Sequence, residues 1–195
     1  MRVLFLDSSS NKMSLAIYEN EYLLHLSLTE LSNKFNEELL DFVDIILKKL
    51  SLTISDIDNF FVITGPGSFT GIRIGVSTLL GLALGNKKKV FGISTLDAAA
   101  LVINKFYNRD SFRVGIKLRL KEYAVREYNF GLNNFSDYRV ENLNSTQDLM
   151  FVDKLEIPLT YAYLHKKFEH FVTDYNPFYM RKSQAEINFD KKSCT

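Results

Sequence analysis

The feature that most constrains the fold is a run of four glycines within eleven residues, at positions 65, 67, 71 and 75. The run lies directly after the apolar residues 60–63 and directly before a longer, mostly apolar stretch that ends near Leu84. A compact aromatic and β-branched run favours a buried strand, whereas apolar positions three and four apart favour a helix. The segment therefore predicts a strand, a tight loop and a helix over residues 71–84, with Gly85 as its carboxyl-terminal cap.

Two interpretations of this glycine segment remain open. A loop between a strand and a helix can present backbone N–H groups to a phosphate. However, the P-loop pattern requires a lysine where none occurs before Lys87, and the dinucleotide-binding spacing requires a glycine where the chain has Thr70. Glycine inside a helix costs about 1 kcal/mol relative to alanine and is retained where backbones pack closely. Because Gly71, Gly75 and Thr78 line one edge of the helix, close packing, within the chain or with a partner, is favoured.

Apolar patterning predicts a mixed α/β protein over the rest of the chain. The first three predicted strands form an antiparallel meander, and a hairpin follows residue 111. Ser94 and Asp97 resemble a capping box at the start of a helix. Helical spacing recurs at Tyr161, Leu164, Phe168 and Phe171. The predicted strands are residues 2–6, 13–18, 22–28, 60–63, 90–93, 112–118, 123–130 and 138–143, and the predicted helices are residues 33–50, 71–84 and 94–107.

Composition and charge exclude several classes of protein. With 46% hydrophobic and 24% charged residues, the chain has the composition of a folded globular protein. A net charge of +1 provides no overall attraction to nucleic acid, and the lysines at 87–89, 191 and 192 are interpreted as solvated. The single cysteine, Cys194, allows no intrachain disulfide. The apolar residues 76–84 fall well short of the roughly 20 residues that span a bilayer, so we expect a cytoplasmic protein.

Few side chains offer catalytic chemistry. Asp7, Ser8 and Ser9 follow the first strand, where actin-like and sugar-kinase folds place an aspartate that orients metal and phosphate. These three residues are therefore a candidate nucleotide-binding turn, although such residues are also common turn formers. His165 and His170 are five positions apart and do not share a helical face. We predict no metal site and no catalytic residue, and we interpret Ser68 as a turn or cap residue.

The glycine segment carries a family likeness. Gly65-Pro66-Gly67-Ser68-Phe69-Thr70-Gly71-Ile72-Arg73-Ile74-Gly75, followed by residues 81–85 and 92–96, resembles the TsaB (YeaZ) family, as do the opening residues 4–9 and the carboxy-terminal residues 179–186. The likeness implies a two-lobed α/β fold of the actin-like ATPase and sugar-kinase (RNase H-like) type. It further implies an amino-terminal lobe over residues 1–108 with partner-binding helices, and a shortened, degenerate second lobe with a carboxy-terminal segment over residues 109–195.

The resemblance also implies a function. Members of this family serve the formation of threonylcarbamoyladenosine beside the anticodon of tRNA as a non-catalytic subunit without a cofactor. They pair with the catalytic subunit TsaD and are joined by the ATPase TsaE, so that contact with tRNA is indirect; alone, a homodimer is expected. The implied family motif loop comprises Gly65, Pro66, Gly67, Ser68, Phe69, Thr70 and Arg73. The implied partner interface comprises Leu39, Phe42, Val43, Ile46, Gly71, Ile72, Gly75, Val76 and Leu79.

The chain departs from the family pattern in two places. Residues 34–36 read Lys-Phe-Asn where a His-Ser or His-Thr pair is common, and residues 117–119 read Lys-Leu-Arg where the family has Asp-Ala-Arg.

The alternative function is that of an autonomous nucleotide-binding phosphotransferase or ATPase that uses Asp7, Ser8 and Ser9.

Overall fold

The computed structural model describes residues 1–30, 35–142, 148–178 and 180 and contains two five-stranded sheets. The first sheet consists of β1 (Arg2–Asp7), β2 (Lys12–Glu19), β3 (Tyr22–Glu30), β4 (Asn59–Gly65) and β5 (Lys89–Ser94), in the order β3-β2-β1-β4-β5. Strands β1, β2 and β3 form the predicted antiparallel meander, which is confirmed. β4 runs parallel to β1, and β5 runs parallel to β4.

Both faces of the first sheet are buried. Successive side chains of a strand point to opposite faces, so Val3 and Phe5 of β1 enter one core, and Leu4 and Leu6 enter the other. Helices α1 (Phe35–Lys49) and α2 (Phe69–Gly85) cover the Leu4 face, and α3 (Thr95–Tyr107) packs on the Phe5 face. Parallel neighbours require such crossover helices. This strand order with helices on both faces is the RNase H-like arrangement that the sequence predicted. No helix in the described residues is long and apolar enough to cross a membrane.

The second sheet is built around the predicted hairpin, which is confirmed. Its two strands, β6 (Ser111–Arg119) and β7 (Glu122–Asn129), pair antiparallel. β8 (Asn134–Phe135) and β9 (Arg139–Asn142) both pair with β7, and β10 (Leu149–Phe151) runs parallel to β6. β9 lies within the predicted strand 138–143, whose last residue is outside the described part. The predicted boundary at residues 108 and 109 falls between α3 and β6, and it stays a prediction.

The helical spacing after residue 160 does not produce the expected helix. The structure has two short 3₁₀ segments instead, Leu159–Leu164 and Phe168–Phe171. His165 between them has extended backbone, and its ring accepts the N–H of Lys167, which breaks the helical hydrogen-bond pattern. The segment nevertheless packs on the first sheet: the Tyr18 hydroxyl donates to the Thr160 carbonyl at 3.0 Å. Phe168 lies 5.0 Å from the Phe61 ring, centroid to centroid.

Asp97 joins the two sheets through a buried network. Ser94 is the predicted cap of α3, because the Asp97 N–H donates to the Ser94 hydroxyl at 3.1 Å; the other half of the interaction differs from a capping box, since the Asp97 carboxylate accepts from the Ser94 hydroxyl at 2.8 Å. The Asp97 carboxylate, on a residue only 1% exposed, also accepts from Arg126 Nη1 at 2.6 Å, from the Tyr128 hydroxyl at 2.7 Å and from the Tyr138 hydroxyl. Burial raises the pKa of both tyrosines, and the neighbouring Asp97 charge raises it further. Both hydroxyls therefore stay protonated and donate to the carboxylate.

His165 makes a second connection, between α3 and the carboxy-terminal segment. Its Nδ1 accepts from the Lys167 N–H at 3.0 Å, so Nε2 carries the ring proton and donates to Asn104 Oδ1 at 2.8 Å. The Asn104 amide nitrogen in turn donates to the Arg109 carbonyl at 2.8 Å. Burial lowers the pKa of His165 from 6.5 to about 4, with smaller contributions from Lys105, Lys166 and Lys167. The neutral ring therefore belongs to the folded state.

We expect this histidine to make folding pH-dependent. The pKa of His165 is lower in the folded protein than in the unfolded chain, so the unfolded chain binds the proton first, and stability falls as the pH drops from about 6.5 to about 4. The shift predicts a loss of about 2 to 3 kcal/mol between pH 7 and pH 4.5 from this group. Urea unfolding of the wild type and of His165→Gln at both pH values measures it, because the variant lacks the titrating ring.

His170, which is exposed, provides the matched control. The His170→Gln variant should keep the pH dependence of the wild type, whereas His165→Gln should be less stable at pH 7 and lose less stability on acidification. Equal acid sensitivity of the wild type and His165→Gln would contradict the assignment.

Candidate functional site

The glycine segment, residues 65–75, packs directly against the turn formed by Asp7, Ser8 and Ser9, which we call the amino-terminal turn. The Ser68 N–H donates to the Ser9 carbonyl at 2.6 Å, and the Ser8 hydroxyl donates to the Gly71 carbonyl at 2.8 Å. A Cβ on Gly71 would overlap with the Ser8 carbonyl oxygen, and one on Gly75 would overlap with the Ser8 hydroxyl. The predicted close packing is therefore confirmed for these two glycines, and it is internal to the chain.

A second contact covers the other side of the glycine segment. The Phe178 N–H donates to the Thr64 carbonyl at 2.7 Å, and a Cβ on Gly65, whose φ is +110°, would lie 2.8 Å from the Phe178 carbonyl oxygen. One strand away, Gly92 forms an antiparallel bridge with Thr173. Residues 173–178 thus pack against β4 and β5. At Gly65 and Gly92, any side chain would overlap with the backbone of this segment. The family signature at residues 179–186 falls outside the described part except for Met180.

At the start of α2, the N–H groups of Ser68 and Gly71 are hydrogen-bonded within the chain. Ser68 is the amino-terminal cap, as predicted, and its hydroxyl accepts from the Gly71 N–H at 3.2 Å. The helix begins at Phe69, two residues earlier than expected, and its carboxyl-terminal cap is Asn86 rather than Gly85. Gly65 and Pro66 are buried, whereas residues 67–70 are exposed, and the Arg73 guanidinium lies 3.8 Å above the Phe69 ring centroid. The Ser9 carbonyl of the amino-terminal turn thus takes the Ser68 N–H, one of the groups that would otherwise face an anion.

The candidate nucleotide-binding residues lie in two different environments. Asp7 and Ser9 line a cavity of about 560 Å³ between the first sheet and residues 152–159, whereas Ser8 points towards α2. The Asp7 carboxylate accepts from the Ser9 N–H at 2.9 Å and from the Ser9 hydroxyl at 2.7 Å. Burial raises the pKa of Asp7, and the Ser9 hydrogen bonds oppose that shift. Among the described residues, no group of three or more His, Cys, Asp and Glu side chains could hold a metal ion.

The residues expected to contact a partner lie mostly inside this chain. Their side chains form the core between the first sheet and the two helices, so the expected residue set does not reach the surface; Phe42 alone of these residues is half-buried. The large apolar residues that α1 and α2 do expose are Leu40, Ile45, Phe69 and Leu84. The wide apolar pattern of α1 signalled two packed sides, but it did not indicate which side faces the sheet. The buried residues are Leu39, Val43, Ile46, Gly71, Ile72, Gly75, Val76 and Leu79.

The sequence interpretation missed the connecting role of Asp97. It identified this residue only as part of a cap, because the partners Arg126, Tyr128 and Tyr138 lie 29 to 41 positions further along the chain. Tyr138 also contacts the Phe178 ring at 4.7 Å, which links the network to the carboxy-terminal segment. The available signal was an acidic residue at the third position of a mostly apolar helix.

Substituting two glycines of α2 by alanine should change the stability of the fold in opposite directions. The Gly71→Ala change should destabilise the fold by about 1 to 3 kcal/mol, because its Cβ would overlap with the fixed Ser8 backbone. The Gly81→Ala change should stabilise it by about 0.5 to 1 kcal/mol, because nothing lies within 4 Å of that Cβ and alanine is the better helix former. Chemical denaturation of the two variants measures both effects, and a shift of the same sign in both would refute this packing account.

The chain is similar in sequence to several proteins with curated names. A family model described as TsaD, tRNA N6-adenosine threonylcarbamoyltransferase, matches residues 29–112, from the end of β3 to the start of β6. The tRNA threonylcarbamoyladenosine biosynthesis protein TsaB of Escherichia coli is 33% identical over 96 residues, which cover 49% of this chain and 41% of the relative. TsaB of Buchnera aphidicola from Schizaphis graminum is 28% identical over 126 residues, covering 65% of this chain and 60% of the relative. The matched part is thus less than two thirds of either relative.

Solved structures share the fold. YeaZ from Pseudomonas aeruginosa has a TM-score of 0.62 at 24% identity, with 72% of this chain and 67% of that chain covered. A second Pseudomonas aeruginosa structure, described as an uncharacterized protein with similarity to peptidase YEAZ, has a TM-score of 0.64 at 23% identity, with 72% and 66% covered. The sequence relatives and the shared fold agree: the chain is similar to the TsaB (YeaZ) proteins in sequence and has their fold.

Proposed function

We propose that this chain is a non-catalytic subunit in the formation of threonylcarbamoyladenosine in tRNA, and that it acts by pairing with and activating a TsaD-type catalytic subunit in the cytoplasm. The names of the curated relatives support a role in threonylcarbamoyladenosine formation. The two-lobed division at residues 108 and 109 is part of the same proposal. TsaE joins the assembly, and a homodimer forms when TsaD is absent.

The observation that carries the proposal is an apolar surface on the outward faces of α1 and α2. Leu84 is 74% exposed, Ile45 is 63% exposed and Leu40 is 51% exposed, although all three belong to helices that pack side by side on one face of the sheet. Large aliphatic side chains exposed on two neighbouring helices are typical of a surface that a partner covers. On α2, the exposed Ser77, Gly81 and Leu84 are spaced four and three positions apart and so share one side of the helix, where the two small residues would let a partner helix approach closely.

The TsaD family match supports the choice of partner. It covers residues 29–112, the part of the chain that contains both α1 and α2. Two related subunits that share this segment can pair helix against helix around an approximate twofold axis, as identical subunits do in isologous dimers. A second copy of this chain would use the same surface, which explains why a homodimer is expected only without TsaD.

Gly81 allows the interface to be tested without disturbing the core. Gly81→Arg should weaken association with TsaD at least about 30-fold, equivalent to about 2 kcal/mol, because it places a bulky charge within an apolar contact. The fold should be retained, since no atom lies within 4 Å of a Cβ at this position. Co-purification and titration of labelled TsaD measure the association, and Gly81→Ala is the matched control that should bind normally.

The same variants test the activity. Reconstituted modification of tRNA by TsaD and TsaE should depend on this chain and should be lost with Gly81→Arg but not with Gly81→Ala. Unchanged modification in the absence of the chain would refute the proposed role. Normal association of Gly81→Arg and of Ile45→Glu with TsaD would refute the assigned surface.

The cavity beside Asp7 favours the one alternative function, an autonomous phosphotransferase or ATPase. Its volume of about 560 Å³ suits a nucleotide, and Lys12 and Lys154 are among its lining residues. However, Ser8 and Ser9 are bound to protein groups rather than free for a phosphate. We therefore expect isothermal calorimetry of the isolated chain with ATP and magnesium to give no binding heat. Clear binding that is lost in Asp7→Ala would favour the enzyme instead.

A further inference from the structure

We propose that a basic cavity at the carboxyl end of α3 contacts the sugar-phosphate backbone and unpaired bases of the tRNA. The inference rests on the proposed function and deepens it, because it gives this chain a direct contact with the RNA. The cavity has a volume of about 390 Å³. Its chemistry comes from Lys105 and Lys166, with Asn104, Asn108 and Tyr163 beside them and Glu21 among its lining residues.

The two lysines are available to a phosphate. Both are exposed, and neither forms an ion pair within 4.0 Å in the part of the chain that the structure describes. The third lysine of this group, Lys167, donates to the Phe130 carbonyl at 3.1 Å and to Asn133 Oδ1 at 2.9 Å, so its ammonium group is held in place within the fold and adds mainly charge. The positive field inside the cavity agrees with the lowered pKa of His165, to which all three lysines contribute.

Aromatic and amide groups around the lysines indicate RNA rather than a simple anion. Tyr163 lines the cavity, and on the last turn of α3 Phe106 and Tyr107 are each 40% exposed. Unpaired bases stack on exposed aromatic faces, while lysines contact the phosphates between them. The Asn108 amide can bond to ribose hydroxyls, whereas the Asn104 amide is used within the fold by His165, Arg109 and Asp110. An acidic protein segment would need the lysines but not the aromatic side chains.

Glu21 is the one acidic side chain among the residues that line this cavity. A carboxylate there repels a phosphate, so its removal should act in the opposite direction to removal of a lysine. The two kinds of variant should therefore change tRNA affinity in opposite directions. A general loss of folding would only weaken binding.

The experiment uses the full chain bound to TsaD and an unmodified tRNA transcript, with affinity measured by fluorescence anisotropy from 50 to 200 mM salt. The double variant Lys105→Gln/Lys166→Gln should weaken binding about tenfold and reduce the slope of log affinity against log salt by about 1 to 2, the value for two lost phosphate contacts. Glu21→Gln should tighten binding by about twofold. The matched control Lys87→Gln/Lys89→Gln removes two exposed lysines elsewhere and should leave affinity and slope unchanged.

The outcomes separate this inference from the proposed function. If the double variant still pairs with TsaD and binds tRNA with unchanged affinity and slope, the inference is overturned, and the surface is solvated or takes an acidic protein. It is overturned equally if the control double variant weakens binding while this one does not. If the wild-type chain neither pairs with TsaD nor supports modification, the proposed function fails first. The double variant could also have a lower melting temperature and an unchanged affinity for tRNA. In that case Lys105 only stabilises the carboxyl end of α3 against the helix dipole, and the inference is again overturned.

Discussion

The contact between the amino-terminal turn and the glycine segment determines how α2 packs on the first sheet. Two backbones meet there with no side chain between them, and the contact is closed by hydrogen bonds from Ser68 to Ser9 and from Ser8 to Gly71. Because the glycines that permit this approach lie on one side of α2, they set the rotation of the helix as well as its distance from β1. The side that carries Gly81 is thereby turned towards solvent.

The closed contact also limits the chemistry of this end of the sheet. A strand–loop–helix unit binds phosphate when the N–H groups of its first turn are free. Here the Ser68 N–H is taken by Ser9, and the Gly71 N–H is taken by the Ser68 hydroxyl. Asp7 keeps its place beside a cavity, but its carboxylate is hydrogen-bonded to Ser9. The motif is therefore used for packing, which supports a subunit that holds a partner over one that transfers a phosphoryl group.

Much of the fold could be predicted because its signals are local. The meander, the hairpin, the α3 cap and the interruption at the glycines all follow from period, turn residues and capping within a few positions. The rest depends on contacts that are distant in sequence. Tyr161 and Phe168 keep helical spacing, yet His165 between them has extended backbone, with its ring bonded to the Lys167 N–H and to Asn104, 61 positions away. In the same way, an apolar arc on α1 shows that two sides are covered, but only the position of the sheet decides that Val43 is core and Ile45 is surface.

The distribution of charge explains how a nearly neutral chain can serve an RNA. Several cations are neutralised where the fold needs them, as in the ion pairs of Arg113 with Glu141 and of Arg126 with Asp97. Such pairs contribute little field beyond their own surroundings. Lys105 and Lys166 have no acidic partner within 4.0 Å in the described residues, and their field extends over about one Debye length of 8 to 10 Å at physiological salt. The net charge counts ion-paired cations and cations without an acidic partner alike. A value of +1 therefore excludes a broad basic face but is compatible with a small basic patch.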